Sequence, residues 1–321
     1  MTARLIKAAV VGLLAVFLPA TPASAHGQDA PIATNHRVVI DRIEPAAPGV
    51  TVRSVEAGAR LELTNNSAAT VEILGLQGEP FLRVRPDGVD ENRNSPTLYA
   101  SRSLHGDAPP AGLGAGADWR ATSDRPVVRW HEERARSQGW SVPLMLNGAD
   151  PAVIRGTVEA VPAPAVTAWW IGALLLAVVG ATTARARVPL AIALGTVAIA
   201  LTVAFAAAVT TPGAAGEFAG QLVARGWSLL TGLGVLAAGL VSARRRADLA
   251  LAATAGCVAV AAGLAHSGVL ANAVIAGPSW IRPAVAVVIG LGAGVTLSAA
   301  RAWYRTLTSS GTGVATTTGP S

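Results

Sequence analysis

Polar and apolar positions divide the chain into two regions that follow different rules. Between residues 26 and 163 short runs alternate at 37–43, 51–55, 59–65, 69–75, 80–85, 126–131, 139–145 and 153–161. The last is the clearest, with Ile154, Gly156, Val158 and Ala160 on one face and Arg155, Thr157 and Glu159 on the other. A period of two predicts strands. Asn65-Asn66-Ser67 stands between Leu61-Glu62-Leu63 and Val71-Glu72-Ile73 as a hairpin connection would. Eight short strands without helical periodicity predict a β-sandwich of immunoglobulin-like or cupredoxin-like kind. Residues 86 to 125, rich in Pro, Gly, Asp and Asn, interrupt the pattern and read as an irregular stretch.

From residue 164 onward the charges fall away in blocks. Residues 164–184, 188–216, 226–243, 249–281 and 283–300 contain no Asp, Glu, Lys or Arg. Each is long enough to cross about 30 Å of hydrocarbon at ~1.5 Å per residue. The sequence therefore predicts an all-α bundle of five transmembrane helices near 165–184, 188–210, 223–243, 249–271 and 282–301, then a cytoplasmic tail over 302–321. Pro162 and Pro164 make a short, stiff link from the β-domain to the first helix. Gly290 and Gly294 form a small-x-x-x-small step on the last one.

Residues 1–25 read as a cleaved signal peptide. Arg4 and Lys7 are the positive start, Ala8 to Leu18 the apolar stretch, and Ala23-Ser24-Ala25 the cleavage site, with an uncleaved anchor as the alternative. Cleavage would make His26 the new N-terminus. An exported domain over 26–163 sends the first helix inward. That leaves Arg185, Arg187, Arg244, Arg245, Arg246, Arg301 and Arg305 inside, against Arg225 and Arg282 outside. The bias predicts a multi-pass protein of the cell membrane with its N-terminal domain extracytoplasmic and its C-terminus cytoplasmic.

Composition sharpens this picture. The net charge of +6 would raise the question of nucleic acid, but the signal carries +2, the exported domain −3 and the remainder +7. The basicity is thus a topology signal, and no nucleic-acid partner is expected. The one lysine is Lys7. After signal removal no lysine is left for a phosphate loop, a Schiff base or a kinase site. The single cysteine, Cys257, falls in a predicted span, so the exported domain has no disulfide and no thiol nucleophile.

Candidate chemistry is sparse. His131-Glu132 starts like H-E-x-x-H, but position 135 is Ala. Asp90 to Asn94 starts like a calcium loop, but Ser95 and Ser101 stand where Gly and Glu are needed. Four histidines, His26, His36, His105 and His131, lie in the exported region. An N-terminal His offers an amine and an imidazole together, a pair that suits Cu(II). His26 with His131 as second ligand, and His105 or Asp29 in reserve, forms the candidate copper site. Its competitor has residues from His26 to His36 as a free tail and His131 hydrogen-bonded within the sandwich. Trp119, Trp130 and Trp140 read as core. Within the spans no carboxylate stands at mid-depth, which argues against a proton-coupled transporter.

The segments GEPFLRVRPDGVDENRNSP (78–96), VVRWHEE (127–133) and WSVPL (140–144) resemble an uncharacterised family of actinobacterial envelope proteins. The resemblance implies a signal peptide, a β-rich exported domain and a C-terminal membrane region, and it brings no activity. In that family a second His-Trp follows the first pair, whereas this chain runs from Arg134-Ala135-Arg136 to Trp140 without one. The expectation is a non-enzymatic membrane protein of the cell envelope whose exported domain binds a partner or ligand. Its helices sit in the lipid bilayer, with an envelope protein or a second copy as partner. Copper handling through His26 is the alternative, and a transporter component is the third reading.

Overall fold

The computed structural model describes residues 31–102, 106–210, 215–244 and 247–311. The signal segment, His26, Asp29, His105 and the end of the tail lie outside the described residues.

The N-terminal part is a sandwich-like domain of two antiparallel sheets. Its strands are β1 (His36–Glu44), β2 (Val50–Val55), β3 (Arg60–Asn65), β4 (Val71–Leu74), β5 (Pro80–Arg85), β6 (Gly88–Asn92), β7 (Trp119–Ser123), β8 (Val127–His131), β9 (Trp140–Leu146) and β10 (Asp150–Ala160). One sheet runs β1-β10-β9-β4-β5-β6-β7 and the other β2-β3-β8. Leu61, Leu63 and Trp130 from the small sheet meet Val71, Ile73, Val84, Val142, Leu144 and Ile154 from the large one in a dry core. The alternation in β10 holds at its centre, where Ile154 and Gly156 are buried and Val158 half-buried while Arg155 and Glu159 are exposed, but it fades at the end, where Ala160 is exposed. Gly156 is required there, because a Cβ at that position would stand 2.1 Å from the Trp140 ring.

Two expectations are corrected. Asn65-Asn66-Ser67 is not a hairpin, since β3 pairs with β2 and β8 whereas β4 pairs with β5 and β9. The buried Asn65 side chain carries the chain across between the sheets. Its amide donates to Ala69 O (2.7 Å) and Val84 O (2.9 Å), and its oxygen accepts from Ser67 N (3.0 Å) and Oγ (2.6 Å). The stretch 86–125 is also not irregular throughout, because it holds β6, β7 and the short helix α1 (Pro96–Ala100). The signal failed because β6 buries polar groups. Asp90 is buried under Arg83 (2.8 Å) and Arg85 (3.0 Å), and buried Asn92 donates to Pro80 O (2.6 Å) and accepts from Asp118 N (2.8 Å).

The C-terminal part is a helical bundle: α2 (Val166–Thr182), α3 (Arg187–Val209), α4 (Ala215–Ala224), α5 (Gly226–Arg244), α6 (Asp248–Val258), α7 (Gly268–Ala271) and α8 (Ile281–Gly311). Beyond Val258 the chain continues from α6 as a π turn (Ala259–Gly263) and a 3₁₀ turn (Leu264–His266). Four of the expected five helices are long and apolar enough to cross a membrane: Arg187–Val209, Gly226–Ala243, Asp248–His266 and Ile281–Ser309. The first, α2, has 17 residues, or about 26 Å. It is shortened at both ends, because the prolines at 162 and 164 delay its start and Thr183 leaves helical geometry (φ −89°, ψ 65°). The last helix instead runs past the expected end at 301 through Arg301 and Arg305, into the segment expected as tail. The predicted 249–271 span is interrupted, with the π turn bringing Gly263 hard against Ile289.

Small residues set the bundle's spacing. A Cβ on Gly290 would stand 2.4 Å from Ala173 O and one on Gly294 2.6 Å from Ala177 O, so α2 and α8 touch backbone to backbone at the predicted glycine step. At the end remote from the β-domain, Arg187 meets buried Asp248 at 3.1 Å and joins the starts of α3 and α6. At the other end the domain is fastened to the bundle. Thr34 and Val274 exchange backbone hydrogen bonds (3.0 and 2.9 Å), and Ala273 N donates to the Asn35 side chain (2.9 Å).

Candidate functional site

The outward face of the small sheet looks onto the bundle and carries a ladder of charge. Arg53 on β2, Glu62 on β3 and Arg129 on β8 stand directly opposite one another in register. Glu62 is 2% exposed and accepts from both arginines, at 2.8 Å from Arg129. Arg129 also approaches Glu56 (3.5 Å), which is buried and held by Arg60 (3.0 Å). Burial pushes the Glu56 carboxyl above the ordinary glutamate range against the pull of Arg60 and Arg129, and Glu217 from the bundle side adds to the rise. For Glu62 burial acts the same way but loses, because hydrogen bonds from Arg53 and Arg129 hold it below that range.

Glu56 opens a strained turn. Glu56 (φ 56°), Ala57 (φ 60°) and Gly58 (φ 91°) are all left-handed, closed by Ala59 N donating to Glu56 O at 3.2 Å. Ala57-Gly58 has the geometry of a type I′ turn. Two non-glycine residues in that region cost on the order of 1–2 kcal/mol each. The turn forms the wall between two spaces at the junction.

The larger space is a cavity of 990 Å³ between the β-domain and the ends of the helices. The domain contributes His36, His131 and Arg136, and the bundle Phe205, Arg225 and His266. The interruption after α6 is what places His266 there, stacked on Phe205 with centroids 4.4 Å apart and planes 16° from parallel. A second cavity of 660 Å³ lies on the other side of the turn, between the charge ladder and Ala207, Ala208, Val274 and Ile275.

His131 is buried with both ring nitrogens engaged. Nδ1 lies 2.7 Å from Ala59 O and Nε2 2.9 Å from the Arg136 guanidinium. A guanidinium only donates, so Nε2 is the acceptor and Nδ1 carries the proton. A metal at Nε2 would have to displace Arg136. Among the described residues no group of three or more His, Cys, Asp and Glu is placed to hold a metal. Since His26 and His105 lie outside the described residues, His131 is the one histidine of the proposed copper set whose surroundings are seen, and it offers no open ligand position.

Other residues singled out in the sequence serve the fold. Trp130 Nε1 donates to buried Glu132 (2.9 Å), which accepts from Arg134 at 2.7 and 2.8 Å, and Arg134 ties the Leu74 carbonyl (3.1 Å). The Trp-His-Glu run thus latches the end of β8 to β4 and to the strained turn. Asn92 and Asn94 of the calcium-like segment bind backbone groups of the loop before β7. The part of the N-terminal segment that is described is no free tail, since Thr34 and Asn35 are bonded to the bundle. Arg225, Phe205 and the strained turn carried no sequence signal as members of a site, because the junction assembles from segments far apart in the chain.

The fold and site define a class: a sandwich-like β-domain seated on the ends of membrane-capable helices, with a mostly apolar cavity at the seam that carries a few imidazole and guanidinium groups. Comparison with known families, curated proteins and solved structures returns no match.

Proposed function

We propose that the protein is a non-enzymatic integral membrane protein of the cell envelope that binds a small ligand in the cavity between its exported domain and its helices. The observation that carries this is the cavity itself, at the upper end of the ~300–1,000 Å³ range of small-molecule sites and lined by imidazoles and guanidiniums over an apolar floor. Its carboxylate and central imidazole, Glu132 and His131, are occupied in structural bonds, which favours binding over chemistry. A protein partner docked on the sandwich is less well supported. Among the described residues of the strands and their loops, Leu76 is the one large apolar side chain strongly exposed.

The α2 helix serves as a fifth, short crossing, supported by its backbone contact along α8. Five crossings with the arginine bias put the β-domain outside and the C-terminus in the cytoplasm. The test uses the full chain, purified in mild detergent and weighed intact by native mass spectrometry. A non-protein adduct is expected on the parent chain and weakened in an Ala265→Trp variant, which puts an indole into the lining. A parent chain that carries no adduct, or an adduct retained undiminished by a normally melting Ala265→Trp chain, would overturn the proposal.

A further inference from the structure

We infer that the junction cavity takes an acidic amphiphile, a phosphate or carboxylate borne on a hydrocarbon chain. This rests on the reading of the cavity as a ligand site and specifies its chemistry.

Charge gives the first argument. Arg136 and Arg225 both line the cavity, and among the described residues neither stands within 4 Å of a carboxylate. Arg136 donates to the neutral His131 ring, and Arg225 to the Gln221 carbonyl at 3.2 Å and to the Gln221 side chain. Glu56 is near enough for its charge to reach Arg225, but its carboxylate is held by Arg60 and Arg129. Glu132, the carboxylate in the lining, is committed to Trp130 and Arg134. Among the described residues, two guanidiniums therefore face the space without a matching acid, and their planar forks suit phosphate or carboxylate oxygens.

Depth gives the second. The contributions from the bundle come from helix ends and one connection on the domain side: Phe205 and Val209 from the last turns of α3, Arg225 from just before α5, His266 and Val269 from beyond the π turn, and Ala276 from between α7 and α8. In a chain that crosses a bilayer this is the level of the lipid headgroups. The walls give the third. Ile32, Val38, Phe205, Val209 and Val269 form apolar surface beside the cations, and the space is far larger than a bare phosphate needs. An acidic group at the arginines with its chain along these residues uses both halves of the lining.

The experiment offers the full chain, in detergent, equimolar phosphatidylglycerol, phosphatidylcholine with the same acyl chains, oleate, and inorganic phosphate, and reads adducts by native mass spectrometry. One molecule of phosphatidylglycerol or of oleate should be retained at least tenfold over phosphatidylcholine, and inorganic phosphate should leave no adduct. Which of the two is retained tells a membrane lipid from a free single-chain acid. The double variant Arg136→Gln, Arg225→Gln should lose retention about tenfold. Should that variant fold poorly, Arg136→Lys, Arg225→Lys keeps the charge without the fork and should retain measurably less than the parent chain; equal retention would count against the guanidiniums. Equal retention of phosphatidylcholine, binding of inorganic phosphate alone, or an unchanged double variant would overturn the inference. A non-acidic adduct that Ala265→Trp weakens would overturn it while leaving the ligand site standing; no adduct of any kind would end both.

Discussion

Glu56 and Glu62 belong to one buried network, yet their carboxyls are driven in opposite directions. Glu62 is held below the ordinary value of 4.5, so the stability it contributes is present above that pH and lost as pH falls through its lowered value. Glu56 is raised above 4.5, so its contribution is fully present below 4.5 and is lost as pH rises through its raised value. Two variants separate the effects. Glu62→Gln leaves Arg129, whose side chain is 9% exposed, without its main partner, and should cost about 3 kcal/mol at neutral pH while flattening the loss of stability below pH 4.5. Glu56→Gln should instead flatten the decline above pH 4.5. Denaturant unfolding across pH reads both, and two parallel profiles would refute the assignment. At the neighbouring Ala57, with φ at 60°, Ala57→Gly should raise stability by about 1 kcal/mol by relieving the left-handed strain; a lowered melting temperature would speak against that strain. None of this was legible in the residues, because Arg53, Glu62 and Arg129 become neighbours only once three strands are in register. His131 was visible as a candidate, but a histidine whose two nitrogens are both spoken for looks the same in a sequence as a ligand.

Elements were read well where one physical rule governed them. The strand pattern of β10 survives because its inward positions are apolar or, at Gly156, empty so that Trp140 can lie across them. β6 escaped because Val89 is the one apolar mark of its core face, while Asp90 and Asn92 on the opposite face are polar yet buried and satisfied from elsewhere in the fold. In the bundle, loss of charge marked the apolar helices, four of them long enough to cross a membrane, but not their ends, which depend on local events such as Pro164 ahead of α2 and the π turn after α6. The glycine step on α8 is the case in which sequence and packing agree, and it is open to test. Gly290→Val would drive side-chain atoms into the Ala173 carbonyl, 2.4 Å from where its Cβ must lie. With a valine there α2 must move away, at a cost of about 2 kcal/mol. Thermal melting of the full chain in detergent should show the loss, whereas Gly172→Val, at a position with nothing within 4 Å, should leave the melt unchanged. Equal melts for the two variants would mean that α2 and α8 do not touch as described.

At the scale of the molecule, what matters is that the β-domain and the bundle meet as one object, and this could not be read from either half. The contact joins Thr34 and Asn35 to residues 273 and 274, more than two hundred positions away. Thr34 and Val274 exchange both backbone hydrogen bonds, which puts their Cα atoms about 5.5 Å apart, inside the range a disulfide can span. In a Cys257→Ala background, Thr34→Cys with Val274→Cys should therefore oxidise readily in the purified protein. A protease site inserted in the link around 162–165 makes this visible, since cleaved halves stay joined on a non-reducing gel and part when reduced. The same pair tests sidedness in living cells. If the domain is exported the bond forms without added oxidant, because thiols are kept reduced in the cytoplasm. Halves that separate even after chemical oxidation would show that the seam, and with it the cavity, is not built as described. Halves that join only after oxidation in vitro would preserve the seam and reverse the topology, placing the charged cavity at the inner face of the membrane.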